Sequence, residues 1–353
     1  MGTKLNKIYR FCFGVFILIV VGVVFFQWLW IHSVEEIYLL ENGLKKSYTF
    51  DVERQTIVAT DDVSSKLQHV LRKSKNVIQI LTKQGVKTYL KKQDGNTYKF
   101  LSETTQTYTT PKKIAILYIA TNKHITFWPE FYRSMEQYFL PKHYKTYFLF
   151  TNHDFTRVGS NVIKIHQEHE SLPCITLKRY HFFEKIADQL KDFDYIYFVN
   201  GTMIATSEIN EEIFPSEEQE LAVTLHPGFW DVKVDKLAYD RNKKSIAFMN
   251  SNEGEHYFMG GFNGGTAKGF LKAIKKMREM TDVDLKNDVI PLWHDESILN
   301  KYMFLRMRDG LKPVILMPEY AIPESGLEEY NLSEFMPHEK IFIVDKKFPD
   351  ENN

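Results

Sequence analysis

The sequence is poor in cysteine. Its 353 residues hold two, Cys12 and Cys174, and Cys12 lies inside a long apolar run. A disulfide framework and a cysteine-based zinc site are thereby excluded, and Cys174 reads as a small core residue. An excess of charge of either sign is also missing. Lys plus Arg number 45 and Asp plus Glu number 45, so the net charge is zero. A nucleic-acid binder would show a basic surplus, and none is expected as a partner. No internal repeat is visible. No Gly-Lys-Ser/Thr follows the glycine-rich segment at 260–265, so it is not a phosphate-binding P-loop. The motif LWHDESILNKY (292–302) lacks the His-Glu-x-x-His spacing of a zinc hydrolase.

What is present is a globular composition, 44% hydrophobic and 25% charged, in a chain long enough for one large or two ordinary domains. Lys4, Lys7 and Arg10 precede FCFGVFILIVVGVVFFQWLWI, residues 11–31, in which Gln27 is the one polar side chain. At about 1.5 Å per residue this run spans a bilayer core of roughly 30 Å. Trp28 and Trp30 sit at its far end, and Glu35 and Glu36 follow. Basic residues before the span and acidic ones after it predict a cytosolic tail (1–10), a signal-anchor (11–31) and a chain otherwise on the far side of the membrane.

Residues 32–111 read as a polar, irregular stem or linker. Leu67, Val70, Leu71, Val77, Ile78 and Leu81 keep helical spacing there, too briefly for a coiled coil. From Lys112 to the end at 353 the texture changes. Strands are predicted over 113–121, 144–152, 161–167 and within DYIYFVN (194–200), and helices over 126–139 and 175–190. This alternation predicts a parallel α/β domain. Its ligand crevice is expected at the carboxyl ends of the strands, near Ala120 to His124 and Asn200 to Thr202. Downstream, the glycines of HYFMGGFNGGTAKGF (256–270) suggest tight turns, and Asp295 and Glu296 the acidic first turn of a helix.

Taken together, LHPGFW (225–230), YFMGGFNGG (257–265), WHDESILNKY (293–302) and PEY (318–320) resemble glycosyltransferase family 6, the retaining α1,3-galactosyl- and N-acetylgalactosaminyltransferases that include the blood-group A and B enzymes. The resemblance covers roughly residues 112–348. It implies a GT-A fold, a single Rossmann-like domain with a mixed sheet. It implies donor-binding roles for Ile119, Ala120, Thr121, His124, Arg179, Asn200, Thr202, Met259, Gly260, Gly261, Asp295 and Lys346. His226, Trp293 and His294 match acceptor-binding positions, and Glu296 the catalytic carboxylate. The implied partners are UDP-GalNAc or UDP-Gal and a galactoside on a glycolipid or glycoprotein. The layout of anchor and stem implies a single-pass type II Golgi membrane enzyme, with a bacterial inner-membrane protein as the alternative.

Two departures matter. Asn200-Gly201-Thr202 stands where animal members carry Asp-x-Asp, the ligands of Mn²⁺. A hard divalent cation favours anionic oxygens, so transfer is expected to need no metal, with Mn²⁺ the alternative. The acidic residue expected after PEY is Pro323, with Glu324 beside it. An inactive relative retained as a glycan- or nucleotide-binding module is the competing reading of such losses.

Overall fold

The structure, a computed structural model, describes residues 34–51, 56–59, 68–73, 76–82, 85–91, 96–105, 110–154 and 159–346. The predicted tail and span, 1–31, lie outside them. Among the described residues no helix is long and apolar enough to cross a membrane. The chain divides into two compact units, Met1–Leu101 and Ser102–Asn353.

The stretch expected as an irregular stem carries seven strands: β1 (Val34–Glu41), β2 (Leu44–Asp51), β3 (Thr56–Ala59), β4 (Gln68–Lys73), β5 (Val77–Leu81), β6 (Gly85–Lys91) and β7 (Thr97–Thr105). They form a closed barrel in sequence order, antiparallel from β1 to β6 and closed by a parallel β1–β7 pairing. Ile37, Leu39, Phe50, Ile57, Val70, Ile78, Ile80, Tyr89 and Tyr98 fill its core. The positions read as helical belong to β4 and β5, where Val70 pairs with Ile80; Leu67 lies outside the described residues. Two short paired strands place apolar residues at intervals that mimic a helix. Asn42 and Gly43, both at positive φ, close the β1–β2 hairpin, the turn chemistry that matches strand twist.

The second unit is a mixed α/β domain. Its strands are β8 (Lys113–Ile119), β9 (Tyr144–Thr151), β10 (Val162–His166), β11 (Tyr195–Val199), β12 (Met203–Ala205), β13 (Leu221–Leu225), β14 (Phe258–Thr266), β15 (Val314–Leu316), β16 (Ile322–Pro323) and β17 (Ile341–Ile343). Its α-helices are α1 (Trp128–Tyr138), α2 (Cys174–Leu177), α3 (Arg179–Glu184), α4 (Ala187–Leu190), α5 (Ala267–Lys286) and α6 (Asp295–Arg308). The main sheet has the order β10-β9-β8-β11-β14-β13-β15, and a small sheet has the order β12-β17-β16. Strands β10, β9, β8 and β11 run parallel, and β14 runs antiparallel to both β11 and β13. The expected parallel sheet is therefore mixed, as the family resemblance implies.

The central strands are near-continuous apolar runs because both faces are covered. Five consecutive residues of β8, Ile114 to Tyr118, are wholly buried, and helix α1 packs on the sheet with Tyr118 and Phe131 ring centroids 4.1 Å apart. Removing a ring such as Phe131 would cost about 3–5 kcal/mol. The helix predicted over 175–190 is broken into α2, α3 and α4. Cys174 opens α2 only half-buried, not in the core.

The glycines read as turns lie inside β14 instead. A Cβ on Gly264 would stand 2.3 Å from the Ile196 carbonyl, and one on Gly265 2.2 Å from that of Glu220. Glycine is needed there so that β14 can approach β11 and β13 closely. The strand order reverses between β8 and β11, since β9 and β10 lie to one side of β8 and β11 to the other. That switch point opens a crevice at the carboxyl ends of the two strands.

Candidate active site

A cleft of about 530 Å³ opens where the switch point requires it. Ile119, Thr121, Lys123 and His124 line it from the end of β8, and Asn200, Gly201 and Thr202 from the end of β11. Lys346 lines it from the C-terminal segment. That segment is tied to the β11 turn, where the Val344 N–H donates to the Thr202 carbonyl at 2.9 Å. The Asp345 N–H donates to Glu324 Oε2 at 2.8 Å. Ala120 sits behind the wall rather than at its surface, fully buried, with its N–H on the Phe150 carbonyl at 2.9 Å.

The Asn200-Gly201-Thr202 turn is held from three sides. The Asn200 N–H donates to the Gly261 carbonyl at 2.8 Å. The Tyr118 hydroxyl donates to the Gly201 carbonyl at 3.0 Å. Asn200 Oδ1 accepts from the Gly201 N–H at 2.9 Å. The side-chain oxygen that could face a cation is thus already engaged, and it is neutral. This donor set does not fit Mn²⁺. Among the described residues no group of three or more His, Cys, Asp or Glu side chains is placed to hold a metal ion.

Arg179, the first residue of α3, joins this cleft to the carboxylates. Its guanidinium lies over the Phe198 ring, 4.4 Å from the centroid. Its Nη1 donates to the Gly260 carbonyl at 2.8 Å and meets Asp295 Oδ2 at 3.0 Å. The latter is a charge contact rather than an aligned hydrogen bond, and Arg179 Nε has no hydrogen-bond partner among the described residues. Next along α6, Glu296 Oε2 accepts from the Gly260 N–H at 2.7 Å. A Cβ on Gly260 would lie 2.9 Å from Asp295 Oδ2 and 3.4 Å from Glu296 Cβ. The bare backbone at 260 is what lets both carboxyls close on β14.

Burial pushes the Asp295 carboxyl up to about 7, with Glu296 adding to the rise and Arg179 opposing it. Burial also raises Glu296, against the Gly260 N–H, the Tyr257 hydroxyl and Arg179, which favour its charged form. Paired carboxyls in a closed site with one shared cation mark a centre that handles developing charge.

His294 caps α6 with φ of 53°, a left-handed conformation that a non-glycine residue holds at a cost of about 1–3 kcal/mol. Its Nδ1 stands 3.3 Å from Thr176 Oγ1 on the cleft wall. Trp293, beside it, is 51% exposed, a large ring open to a ligand. His226 is tied to the start of β14, where the Tyr257 carbonyl accepts the His226 N–H at 2.9 Å. Burial pushes its imidazole down to about 4. Its Nδ1 accepts from the Gly228 N–H at 3.0 Å, so the neutral ring presents Nε2–H. Met259 is buried, and a Cβ on Gly261 would lie 2.7 Å from its Cε.

The loop after β10 carries no motif, yet it also lines the cleft. His169, Glu170, Ser171 and Leu172 line it, and His169 Nδ1 is 2.9 Å from Thr121 Oγ1. The signal was available: HESLP follows a strand of the parallel set, and its loop faces the same crevice.

A mixed sheet with its cleft at the switch point, and a buried carboxylate pair beside it, has the architecture of a GT-A-like glycosyltransferase. The model of glycosyltransferase family 6 matches residues 93–332, and the chain belongs to that family. It is similar to the O-antigen biosynthesis glycosyltransferase WbnI of Escherichia coli, with 32% identity over 213 residues, 60% of this chain and 88% of that one. It is also similar to histo-blood group ABO system transferase 1 of Rattus norvegicus, with 28% identity over 218 residues, 59% of this chain. A third relative is globoside alpha-1,3-N-acetylgalactosaminyltransferase 1 of Mus musculus, with 28% identity over 223 residues, 60% of this chain. The chain spans 60% of the length of the rat relative and 61% of the mouse one.

Proposed function

We propose that this chain moves N-acetylgalactosamine, or galactose, from a UDP-sugar to a galactoside of a glycolipid or glycoprotein, in α1,3 linkage and with retention of configuration. The observation that carries the reading is Glu296, held by the Gly260 N–H at 2.7 Å beside the buried Arg179–Asp295 pair at the edge of the cleft. Breaking the bond between C1 and the diphosphate oxygen sends the electron pair to the leaving group and leaves positive charge on the sugar. Glu296 supplies the facing anion, as a nucleophile or as an electrostatic partner. The acceptor oxygen then bonds to C1, and its proton leaves with a diphosphate oxygen or with Glu296. His226, Trp293 and His294 are the groups to orient that acceptor.

Negative charge on the departing diphosphate must be met without carboxylate-held metal. Lys123 and Lys346 line the cleft, and Arg179 Nε has no partner among the described residues. These cations, with the amide and hydroxyl of Asn200 and Thr202, supply donors where carboxylates cannot. Gly261 has no side chain of its own, and the atom nearest to it is the flexible end of Met259, its Cε 2.7 Å from where a Cβ would stand; an acetamido group then has a movable methyl to displace, which favours the acetamido sugar as donor. The mouse relative's own description as an N-acetylgalactosaminyltransferase agrees with that choice. Residues 11–31 serve in this reading as a type II anchor of the Golgi or of a bacterial inner membrane.

The test is transfer by the purified full chain with UDP-GalNAc or UDP-Gal, an α- or β-galactoside acceptor and NMR assignment of the new linkage. Transfer that survives EDTA and gains little from Mn²⁺ is expected. Activity that vanishes in EDTA and returns with Mn²⁺ would overturn the metal-independent route. Nucleotide binding with no transfer or hydrolysis under any condition would favour a binding module instead.

A further inference from the structure

Tyr118 stands one residue before the end of β8 and is wholly buried. Its ring is held against Trp128 and Phe131 of α1, at centroid distances of 5.1 and 4.1 Å. A phenyl ring would fill that place as well. What the phenol adds is one polar atom, and that atom donates to the Gly201 carbonyl at 3.0 Å. Burial pushes the hydroxyl well above the ordinary phenol range, so it stays a donor at any working pH. The other two carbonyls of the turn are engaged too. That of Asn200 accepts the Met203 N–H at 3.0 Å, and that of Thr202 accepts the Val344 N–H at 2.9 Å. The side-chain oxygen of Asn200 is held by the Gly201 N–H. The acceptors of Asn200-Gly201-Thr202 are thus drawn back onto the protein, although all three residues line the cleft. A turn with its carbonyls withdrawn and its donors left over suits an anion.

We propose that Tyr118 is a positioning residue for the leaving diphosphate: by holding the Gly201 carbonyl in the core, it aims the Thr202 N–H into the cleft at a phosphate oxygen. The two groups belong to one peptide plane, and in a trans peptide the N–H points opposite to the C=O. Turning the carbonyl inward therefore turns the N–H outward. Loss of the hydroxyl frees that plane to rotate, and a flipped plane would set a carbonyl, not a donor, against the phosphates. The packed ring makes the hold rigid, since Trp128 and Phe131 keep the hydroxyl from following a displaced turn. A fixed donor is worth most where charge gathers as the sugar–phosphate bond breaks. The inference rests on the reading of this cleft as the seat of a UDP-sugar.

The experiment measures equilibrium binding of UDP and of uridine, with transfer kinetics, for the wild type, Tyr118→Phe and Phe131→Leu. Tyr118→Phe keeps the ring and removes the donor. Its Kd for UDP should rise about tenfold while that for uridine, which carries no phosphate, stays nearly the same. Its kcat should fall about tenfold with the KM for the acceptor unchanged. Phe131→Leu loosens the packing around the ring and leaves the hydroxyl in place, so it should lower the Tm without altering the ratio of the two affinities. A Tyr118→Phe variant that loses Tm but keeps that ratio, or a Phe131→Leu variant that changes it equally, would make the role one of packing and overturn the proposal. Should the wild type bind UDP no more tightly than uridine, the reading of the cleft itself fails. If the wild type prefers UDP and Tyr118→Phe keeps the same preference and kcat, only the positioning role fails.

Discussion

Arg179 and Asp295 meet at 3.0 Å with both side chains almost wholly buried, and the same guanidinium nitrogen donates to the Gly260 carbonyl at 2.8 Å. One cation thus ties α3, β14 and α6 together at the site. Breaking a buried pair by removing one partner is more costly than its net worth, because the other charge is stranded. Arg179→Met should lower stability by about 3–5 kcal/mol at pH 8.5, where Asp295 is ionised. The loss should shrink at pH 6, where Asp295 binds a proton and no ion pair is at stake. Urea unfolding at the two pH values checks this, and an equal loss at both would show that the pair contributes nothing.

Asp295 also sets a pH dependence of its own. Its folded value of about 7 lies above the usual range for Asp. The folded state therefore holds a proton that the unfolded chain has already released. Stability from this group is full below about pH 4 and is lost as pH rises to about 7, by up to about 4 kcal/mol. The difference in unfolding free energy between the wild type and Asp295→Asn, followed from pH 4 to 8, should show that decline. A flat difference would contradict it.

His226 runs the other way. Burial lowers its folded value to about 4, so the unfolded chain takes up the proton first as pH falls. The contribution is full above about pH 6.5 and is lost toward pH 4, at most about 3 kcal/mol. His226→Asn should remove that acid sensitivity. It should also raise KM for the acceptor while leaving UDP-sugar hydrolysis nearly unchanged, and a rise in donor KM instead would move His226 to the other side of the site.

Two of the four glycines of β14, Gly260 and Gly261, separate geometry from donor choice. In Gly260→Ala the new methyl meets Asp295 Oδ2 at 2.9 Å and crowds Glu296, so kcat should fall by about tenfold or more. In Gly261→Ala it meets the Met259 Cε at 2.7 Å, the far end of a flexible side chain. That variant should fold and shift preference from UDP-GalNAc toward UDP-Gal, by about tenfold or less. Competition assays with both donors read the ratio, and equal use of both by the wild type would remove the steric argument.

Much of the second unit was legible in the sequence because its strands are buried on both faces. The runs at 113–121, 144–152 and 194–200 contain β8, β9 and β11 almost to the residue. The positions of Asp295 and Glu296 in a first helical turn were legible too. Three things were not. The barrel of β1–β7 is made of strands whose inward residues, such as Val70 and Ile78, do not keep one alternation from strand to strand. Strand β14 holds four glycines, a poor strand former; at Gly264 and Gly265 neighbouring carbonyls leave no room for a Cβ, and at Gly260 the Asp295 carboxyl crowds one. The contacts of Arg179 with residues 81 and 116 positions away exist only once the sheet has formed.

Glu296→Gln tests the central claim most directly. The substitution keeps the shape of the side chain and its contact with the Gly260 N–H while removing the negative charge. UDP binding by calorimetry and the rate of sugar transfer should be measured on the same preparation. Transfer reduced by about a thousandfold or more with UDP affinity nearly intact is the predicted result. Transfer at the wild-type rate, with a stability change of under about 1 kcal/mol, would reduce Glu296 to the acidic start of a helix and contradict the account.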